Sequence, residues 1–545
     1  MTPSSTECIP HQFNLGNLKG RKVIANFEGG RITSDAGIVL IAELDKKLGV
    51  TASALRSRME HPGARRARFA ECFRDYRNLS YIDYSVHELL AQRVYGIVLG
   101  YEDVNDHDKL RYDPSLAIAL ARLNFIDLNA ASLAGKSTIN RLEYCPETIG
   151  DRRESRYHKI EQQPKEIEKA FVEIFLESYN EPPQQIILDM DVTDDQVHGS
   201  QEGAFFNTYY NGVCYAPLYI FCGHHLLAAK LRPSNVDPAE GALEELQRII
   251  RIIRETWHNT QILVRGDSAY AREEIMKFCE KIGVDYALAM ATNSQLKLRA
   301  NQVIKKAQAD YEQRLAPVTA LMETVFSPDD KPEEVGQLVP EATWYRSLYY
   351  KTQESWSRSR RVVTKVCYGS KGLDLRHVVT SLPAAKLPPS QVYTDKYCPR
   401  GDQFGEEKME GGLIPQINWG ASTLNPRTLP PFSKPSLGEM ENRIKEQQLD
   451  LFADRTSTQT FESNQLRLWL SSMAYVLMQA FRQHCLASTA LAKATVGTIR
   501  LALLKLGARI TVSVRRILIA IASACPYQDI LAIAYQRIQA ISDSG

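Results

Sequence analysis

The sequence predicts an α/β protein with a mixed-sheet core, helical regions on either side of it in the chain, and a β-rich insertion. Three observations carry that expectation. From residue 184 onward the apolar residues switch from helical spacing to strand-like runs, near 185–191, 213–221, 226–231, 261–266 and 284–290. The last of these alternate with helical stretches over 238–257 and 272–282, and three strands followed by alternating helix and strand is the opening of an RNase H-like fold. Two of the strands, moreover, run straight into Asp residues, which places carboxylates at the end of a sheet where open α/β folds bind their ligands.

Residues 1–175 read mostly as helix. Ser34 is placed to cap a helix that passes Ile41 and Leu44 and stops at Gly49, and Ser85 opens another through Leu89, Leu90, Val94 and Ile97. Further helices are expected over 114–123 and 164–179. Residues 176–299 hold the first part of the core. A polar helix at 300–314 opens a β-rich insertion that extends to 386, with strands expected at 345–350, 361–368 and 377–382. Residues 387–438, rich in Pro and Gly, read as loop. A helix should start near Gly438, and helices are expected to fill 464–486 and 489–540, so that 439–545 forms a helical C-terminal region.

Bulk properties exclude several classes. The 545-residue chain exceeds one hydrophobic core. Its formal net charge is only +2, so any contact with phosphates must come from local clusters such as Arg65 to Arg68, Arg74 to Arg77, Arg358 to Arg361 and Arg509 to Arg516. Ten Cys residues without a Cys-x-x-Cys pair suit reduced thiols, and the first residues lack the order of a secretory leader. No apolar run reaches membrane-spanning length, and the expected location is the cytoplasm, associated with the nucleoid. Cys222-Gly223-His224-His225 has too few ligands for zinc and reads as strand ends around a turn. Ala134-Gly135-Lys136-Ser137-Thr138 lacks the first Gly of a phosphate-binding loop and the strand before it; Ser137 as a helix cap is the better reading.

Three acidic positions carry the chemistry. Ile186-Ile187-Leu188-Asp189-Met190-Asp191-Val192-Thr193 and Ile262-Leu263-Val264-Arg265-Gly266-Asp267-Ser268 are apolar strands ending in carboxylates, and Met440-Glu441-Asn442-Arg443-Ile444-Lys445 opens a charged helix. Hard divalent cations take oxygen ligands, and Mg²⁺ takes one or two carboxylates while keeping several waters. Two Asp at strand ends plus a Glu on a helix therefore suit a Mg²⁺ site for phosphodiester chemistry.

Together with His198-Gly199-Ser200-Gln201-Glu202-Gly203, Cys72-Phe73-Arg74-Asp75-Tyr76-Arg77 and Leu231-Arg232-Pro233-Ser234-Asn235, these runs occur in the order found in DDE transposases of bacterial insertion sequences. The chain most resembles insertion-sequence group thirteen-eighty, whose catalytic region is called the transposase DDE domain group one. The resemblance implies double-stranded DNA as partner, both transposon ends and target, with residues 1–175 binding the terminal repeats and a homodimer assembled on DNA. It implies two Mg²⁺ ions, which Mn²⁺ could replace, held by Asp191, Asp267 and Glu441.

In the wider family the third acid lies in Tyr-x-x-Arg-x-x-x-Glu-x-x-x-x-x-x-Lys. Tyr397 and Arg400 match its start, and joining Gly401 to Glu439 restores its spacing to Glu441, so residues 402–438 look inserted. Glu446 is the rival for the third position. Gln448 stands where the final Lys belongs, so Lys445, one helical turn after Glu441, is the candidate for that phosphate contact. Tyr397, Arg400, Arg443 and Lys445 are the expected DNA contacts. Two other readings stay open: a remnant that binds DNA without cutting it, and an RNase H-like metal-dependent nuclease unconnected with a mobile element.

Overall fold

The computed structural model describes residues 12–18, 21–26, 29–51, 68–124, 130–148, 157–325, 339–398 and 439–541. Arg400 and the inserted segment 402–438 lie outside the described residues. The chain divides into two compact units. One comprises Met1–Ala170, Asp195–Ala204 and Glu446–Gly545; the other comprises Phe171–Asp194 and Phe205–Lys445.

The second unit is built on one eight-stranded mixed sheet. Its strands are β1 (Gln185–Val192), β2 (Leu218–Cys222), β3 (His225–Lys230), β4 (Gln261–Gly266), β5 (Asp285–Met290), β6 (Ala342–Tyr350), β7 (Arg360–Gly369) and β8 (Gly372–Thr380), in the order β3-β2-β1-β4-β5-β8-β7-β6. β1, β4 and β5 run parallel, and β2 runs antiparallel to β1. The parallel connections pass through helices, as parallel pairing requires. Ala242–Thr256 joins β3 to β4, and Glu273–Ile282 joins β4 to β5. The first of these buries Leu246, Ile249, Ile250 and Ile253, a stripe at helical spacing that packs with Ile186, Leu188 and Met190 of β1 on one face of the sheet.

The β-rich insertion does not stand apart from the core. β8 pairs antiparallel with β5, Ala287 opposite Thr380, and β7 and β6 follow outward, so the inserted strands widen the central sheet. Arg360 at the start of β7 ties the insertion to the helix between β4 and β5: its guanidinium donates to Glu280 at 2.7 Å and to Glu273 at 2.6 Å. The Arg358 to Arg361 cluster is thus largely structural, with Arg361 donating to the carbonyls of Leu382 and Leu387. The polar helix is longer than its composition suggested, Ser294–Val325.

In the first unit, helix Val86–Val98 starts at Ser85 in a reciprocal cap with Glu88. It packs against Phe461–Cys485. Two expected caps move. The first long helix is Ile38–Leu48 and begins after Gly37, not at Ser34; residue 37 must be glycine, since a Cβ there would meet the Leu503 carbonyl oxygen at 1.9 Å. Lys136–Glu143 begins after Gly135, not Ser137, and its first N–H donates to Asp108, an acid where a phosphate-binding loop would need an anion. The C-terminal region is not wholly helical: Ala508–Val512 and Ile517–Ile521 form a hairpin paired with Arg31–Thr33, before helix Gln528–Ala540. Short strands also interrupt the expected helical N-terminal region, Phe73–Asp75 pairing with Ile160–Gln162. Among the described residues no helix is long and apolar enough to cross a membrane.

Glu143 is fully buried in this unit, held by Arg93 at 2.6 Å and Arg467 at 2.8 Å. Removing one partner of a buried ion cluster leaves the other charge without compensation. Glu143→Ala is therefore expected to lower stability by about 3–5 kcal/mol, read from urea unfolding; a loss under about 1 kcal/mol would show that the two guanidinium groups find other partners.

Candidate active site

The site is built by stacking side chains along two neighbouring parallel strands. β1 and β4 pair with Ile187 opposite Leu263 and Asp189 opposite Arg265. Side chains alternate along a strand, so Ile187, Asp189 and Asp191 share one face of β1, and Leu263 and Arg265 share the same face of β4, which ends at Gly266 just before Asp267. Ile187 and Leu263 belong to an apolar layer with Ala287, Val363, Val378, Tyr393 and Tyr397. One step on, Arg265 grips Asp189 through two bonds of 2.6 and 2.7 Å, both side chains buried, and also donates to the Lys396 carbonyl at 2.9 Å. Past this last paired position, Asp191 lies near the carboxyl end of β1 and Asp267 directly follows β4. The paired column thus runs from apolar pair to ion pair, and the two acids lie beyond it.

Each acid is oriented locally. Asp191 Oδ1 accepts from the Val192 N–H at 3.0 Å, and Asp267 caps the short turn Ser268–Tyr270 by accepting from the Ala269 N–H at 2.9 Å. Gly266 precedes Asp267 because a Cβ there would meet the Tyr270 side chain at 2.8 Å. Asp189, two residues earlier on the same face, is committed to Arg265. Two carboxylates at the carboxyl ends of neighbouring parallel strands are a donor set that fits a hard divalent cation.

The third position differs. Glu441 lies on the exposed side of helix Glu439–Leu451, whose buried side carries Met440, Arg443, Ile444 and Gln447. Its carboxylate pairs with Lys445 at 2.6 Å, one turn along. Among the described residues no group of three or more His, Cys, Asp and Glu side chains is arranged to hold a metal ion, so Glu441 is not gathered with the two Asp. The rival Glu446 is engaged in the other unit, accepting from Arg482 at 2.6 Å and from the Val496 N–H at 2.7 Å. Gln448 donates to Asp195 at 3.1 Å.

The expected DNA contacts divide. Lys445 is exposed. Arg443 is buried, its guanidinium donating to the Gly223 carbonyl and meeting His224 Nδ1 at 3.1 Å, so it anchors the helix to the β2–β3 turn. Tyr397 is 2% exposed and packs against Tyr393 in the layer beneath the acids, which removes it as a surface contact. The motif spacing carried Tyr397, and Arg443 was named as a basic residue on the Glu441 helix, but neither signal separates a buried side chain from a phosphate contact. What sequence reasoning missed was Arg265, whose place two residues before Asp267 and opposite a second Asp was the available signal.

This placement has a testable consequence. Tyr397→Ala should cost about 3–5 kcal/mol of stability, measured by thermal or urea unfolding, while Tyr397→Phe should leave DNA affinity unchanged in a filter-binding titration. A tenfold loss of affinity in the stable Phe variant would return Tyr397 to the DNA contacts.

The family model for transposase DDE domain group 1 matches residues 15–408 and 435–543. The gap in that match falls inside the segment that the motif spacing marks as inserted. Among solved structures, a cryo-EM structure of the piggyBac transposase synaptic complex with hairpin DNA aligns over 94% of this chain and 80% of its own, with 9% identity and a TM-score of 0.33. No curated protein matches the chain. With nearly the whole sequence spanned by one family model, the chain belongs to the DDE transposases of domain group 1.

Proposed function

We propose that the chain is the transposase of an insertion sequence of the group thirteen-eighty type, binding the terminal inverted repeats of its element as double-stranded DNA and carrying out Mg²⁺-dependent cleavage and strand transfer. The observation that carries this reading is the placement of two acids, Asp191 and Asp267, at the carboxyl ends of two neighbouring parallel strands. The order β3-β2-β1-β4-β5, with β2 antiparallel, supports an RNase H-like core around that pair.

Asp191 and Asp267 would hold Mg²⁺, with Glu441 as the third ligand. A divalent ion held there lowers the pKa of a bound water and stabilises the oxygen that leaves. The chain's own contribution is to fix the two carboxylates before DNA arrives. Arg265 and the apolar layer beneath prevent the strands from slipping, and the backbone N–H groups of Val192 and Ala269 hold the carboxylates in place. Glu441 is tied only by an exposed pair one turn apart, worth under about 1 kcal/mol, so little opposes its exchange of Lys445 for a metal. Lys445, once released, would meet a phosphate as a point charge. Arg400 completes the proposed phosphate contacts, and a homodimer on DNA is the proposed assembly.

A second reading is favoured by one observation, the separation of Glu441 from the two Asp: a protein that binds the repeats and does not cut. A Mg²⁺-dependent cleavage assay on the DNA flanking the reading frame separates the two. Asp191→Asn or Asp267→Asn should lower cleavage by at least about 100-fold and leave end binding within about twofold. A variant that cuts at the wild-type rate removes that residue from the mechanism, and a wild-type protein that binds without cutting selects the second reading. Deleting residues 402–438, so that Gly401 runs into Glu439, should give a soluble protein with equal or greater cleavage. An insoluble deletion protein would show that the segment is structural.

A further inference from the structure

The basic cluster Arg509 to Arg516 folds into the C-terminal hairpin. Ala508–Val512 pairs with Ile517–Ile521, and the Ser513 N–H and Oγ both donate to the Arg516 carbonyl, at 2.9 and 3.0 Å. The loop closed in this way holds only Val514 and Arg515, so the chain reverses in a tight turn with both side chains outside the ribbon.

The register sorts the remaining side chains. Arg509 stands opposite Ile32 on one side and Ala520 on the other, and Thr511 stands opposite Leu518. Paired residues share a face, so these five lie together on one face of the three-stranded sheet. Ala508 and Ile519 belong to the other face, which packs with Ala36, Leu506 and Cys525. The first face is left outward. Ile32 is 63% exposed, Leu518 is 47% exposed, and Val514 at the tip is fully exposed. No acidic residue occurs between Glu462 and Asp529, so Arg509, Arg515 and Arg516 have no carboxylate in their own stretch of chain.

We propose that this hairpin enters the minor groove of double-stranded DNA and bends it, with Val514 as a wedge at a base step and Arg515 and Arg516 beside it in the groove. It rests on the DNA-binding function proposed above. Charge selects the occupant. A second copy docked through the same hairpin would bring no carboxylate to these arginines, whereas a duplex brings a phosphate about every 1.7 Å of its axis. The apolar groups select the groove. Base edges in the major groove are read by polar side chains, and this face offers mostly aliphatic groups. Minor-groove proteins instead combine arginine with an apolar side chain that parts two base pairs. Pairing with Arg31–Thr33 and the closed turn fix the ribbon in advance, so little conformational entropy is lost when the tip is inserted.

The test uses the full chain and a short A·T-rich duplex with a donor dye at one end and an acceptor at the other, in Ca²⁺ to prevent cutting. Anisotropy of either dye reports binding, and energy transfer reports the end-to-end distance. Wild type should raise energy transfer, corresponding to a bend of about 20–90°, and the minor-groove ligand netropsin should suppress that rise. Val514→Ser should remove most of the rise, and Val514→Leu should keep it. Arg515→Ala/Arg516→Ala should reduce the slope of log affinity against log salt by about 1–2. A full rise in Val514→Ser overturns the proposal, as does a rise that netropsin leaves intact. A Val514→Ser variant that loses self-association and keeps the bend assigns the hairpin to a second copy instead. The underlying reading is checked separately on the DNA flanking the reading frame. A wild type that neither binds nor cuts that DNA defeats the DNA-binding function itself. A wild type that binds and cuts it, with no bend that depends on Val514, defeats only the wedge.

Discussion

The bidentate pairing of Arg265 with Asp189 is the contact on which the candidate site depends. β1 and β4 are parallel and separated by seventy-odd residues of chain, so no tight turn sets their register. A one-residue slip would turn every side chain of one strand to the opposite face. It would also leave a carboxylate and a guanidinium buried apart from each other, which costs several kcal/mol per ion. The ion pair adds little net stability for the same reason, and its effect is to make wrong registers expensive. Arg265 spends its remaining reach on the Lys396 carbonyl, which draws the segment carrying Tyr393 and Tyr397 onto the same face. The position of the acid pair follows from this one buried charge pair and the apolar layer below it.

The core was legible in the sequence because its signals are local. Ile262 to Gly266 is an apolar run bounded by a polar start and a glycine, and the helix between Glu273 and Ile282 closes on a left-handed Gly283. Ser85 with Glu88 three residues on announced its helix, and the cap is present. What failed to show was decided by distant contacts. Ile510, Ile517 and Ile519 suit a helix or a strand equally; pairing with Arg31–Thr33, nearly five hundred residues earlier, decides for strand. Gly37 rather than Ser34 precedes its helix and lies against the Leu503 carbonyl, a neighbour that no local pattern reveals.

The site was legible to a lesser depth, for a related reason. Alternation along a strand is enough to put Asp189, Asp191 and Arg265 on one face once the register is known, and Asp267 directly follows the second strand. Motif spacing named Tyr397, and charge on the Glu441 helix named Arg443, but neither signal could say which way they point. Tyr397 went to the core and Arg443 to a turn carbonyl, because an aromatic ring and a planar guanidinium each satisfy buried surroundings well. Glu441 shows the limit most clearly: its position on the exposed side of a helix follows from the apolar stripe of Met440 and Ile444, and the same stripe says nothing of what that side faces when DNA is bound.

The widening of the central sheet by β8, β7 and β6 bears on how the protein is made. β5 receives one neighbour, β4, from chain already synthesised. Its other neighbour, β8, lies about ninety residues further on, Ala287 pairing with Thr380. At about 5–20 residues per second, the ribosome leaves that edge of β5 open for about 5–20 s. An open apolar strand edge is a template for pairing with other chains. The nascent protein therefore passes through an interval in which pairing with sister polypeptides competes with its own closure.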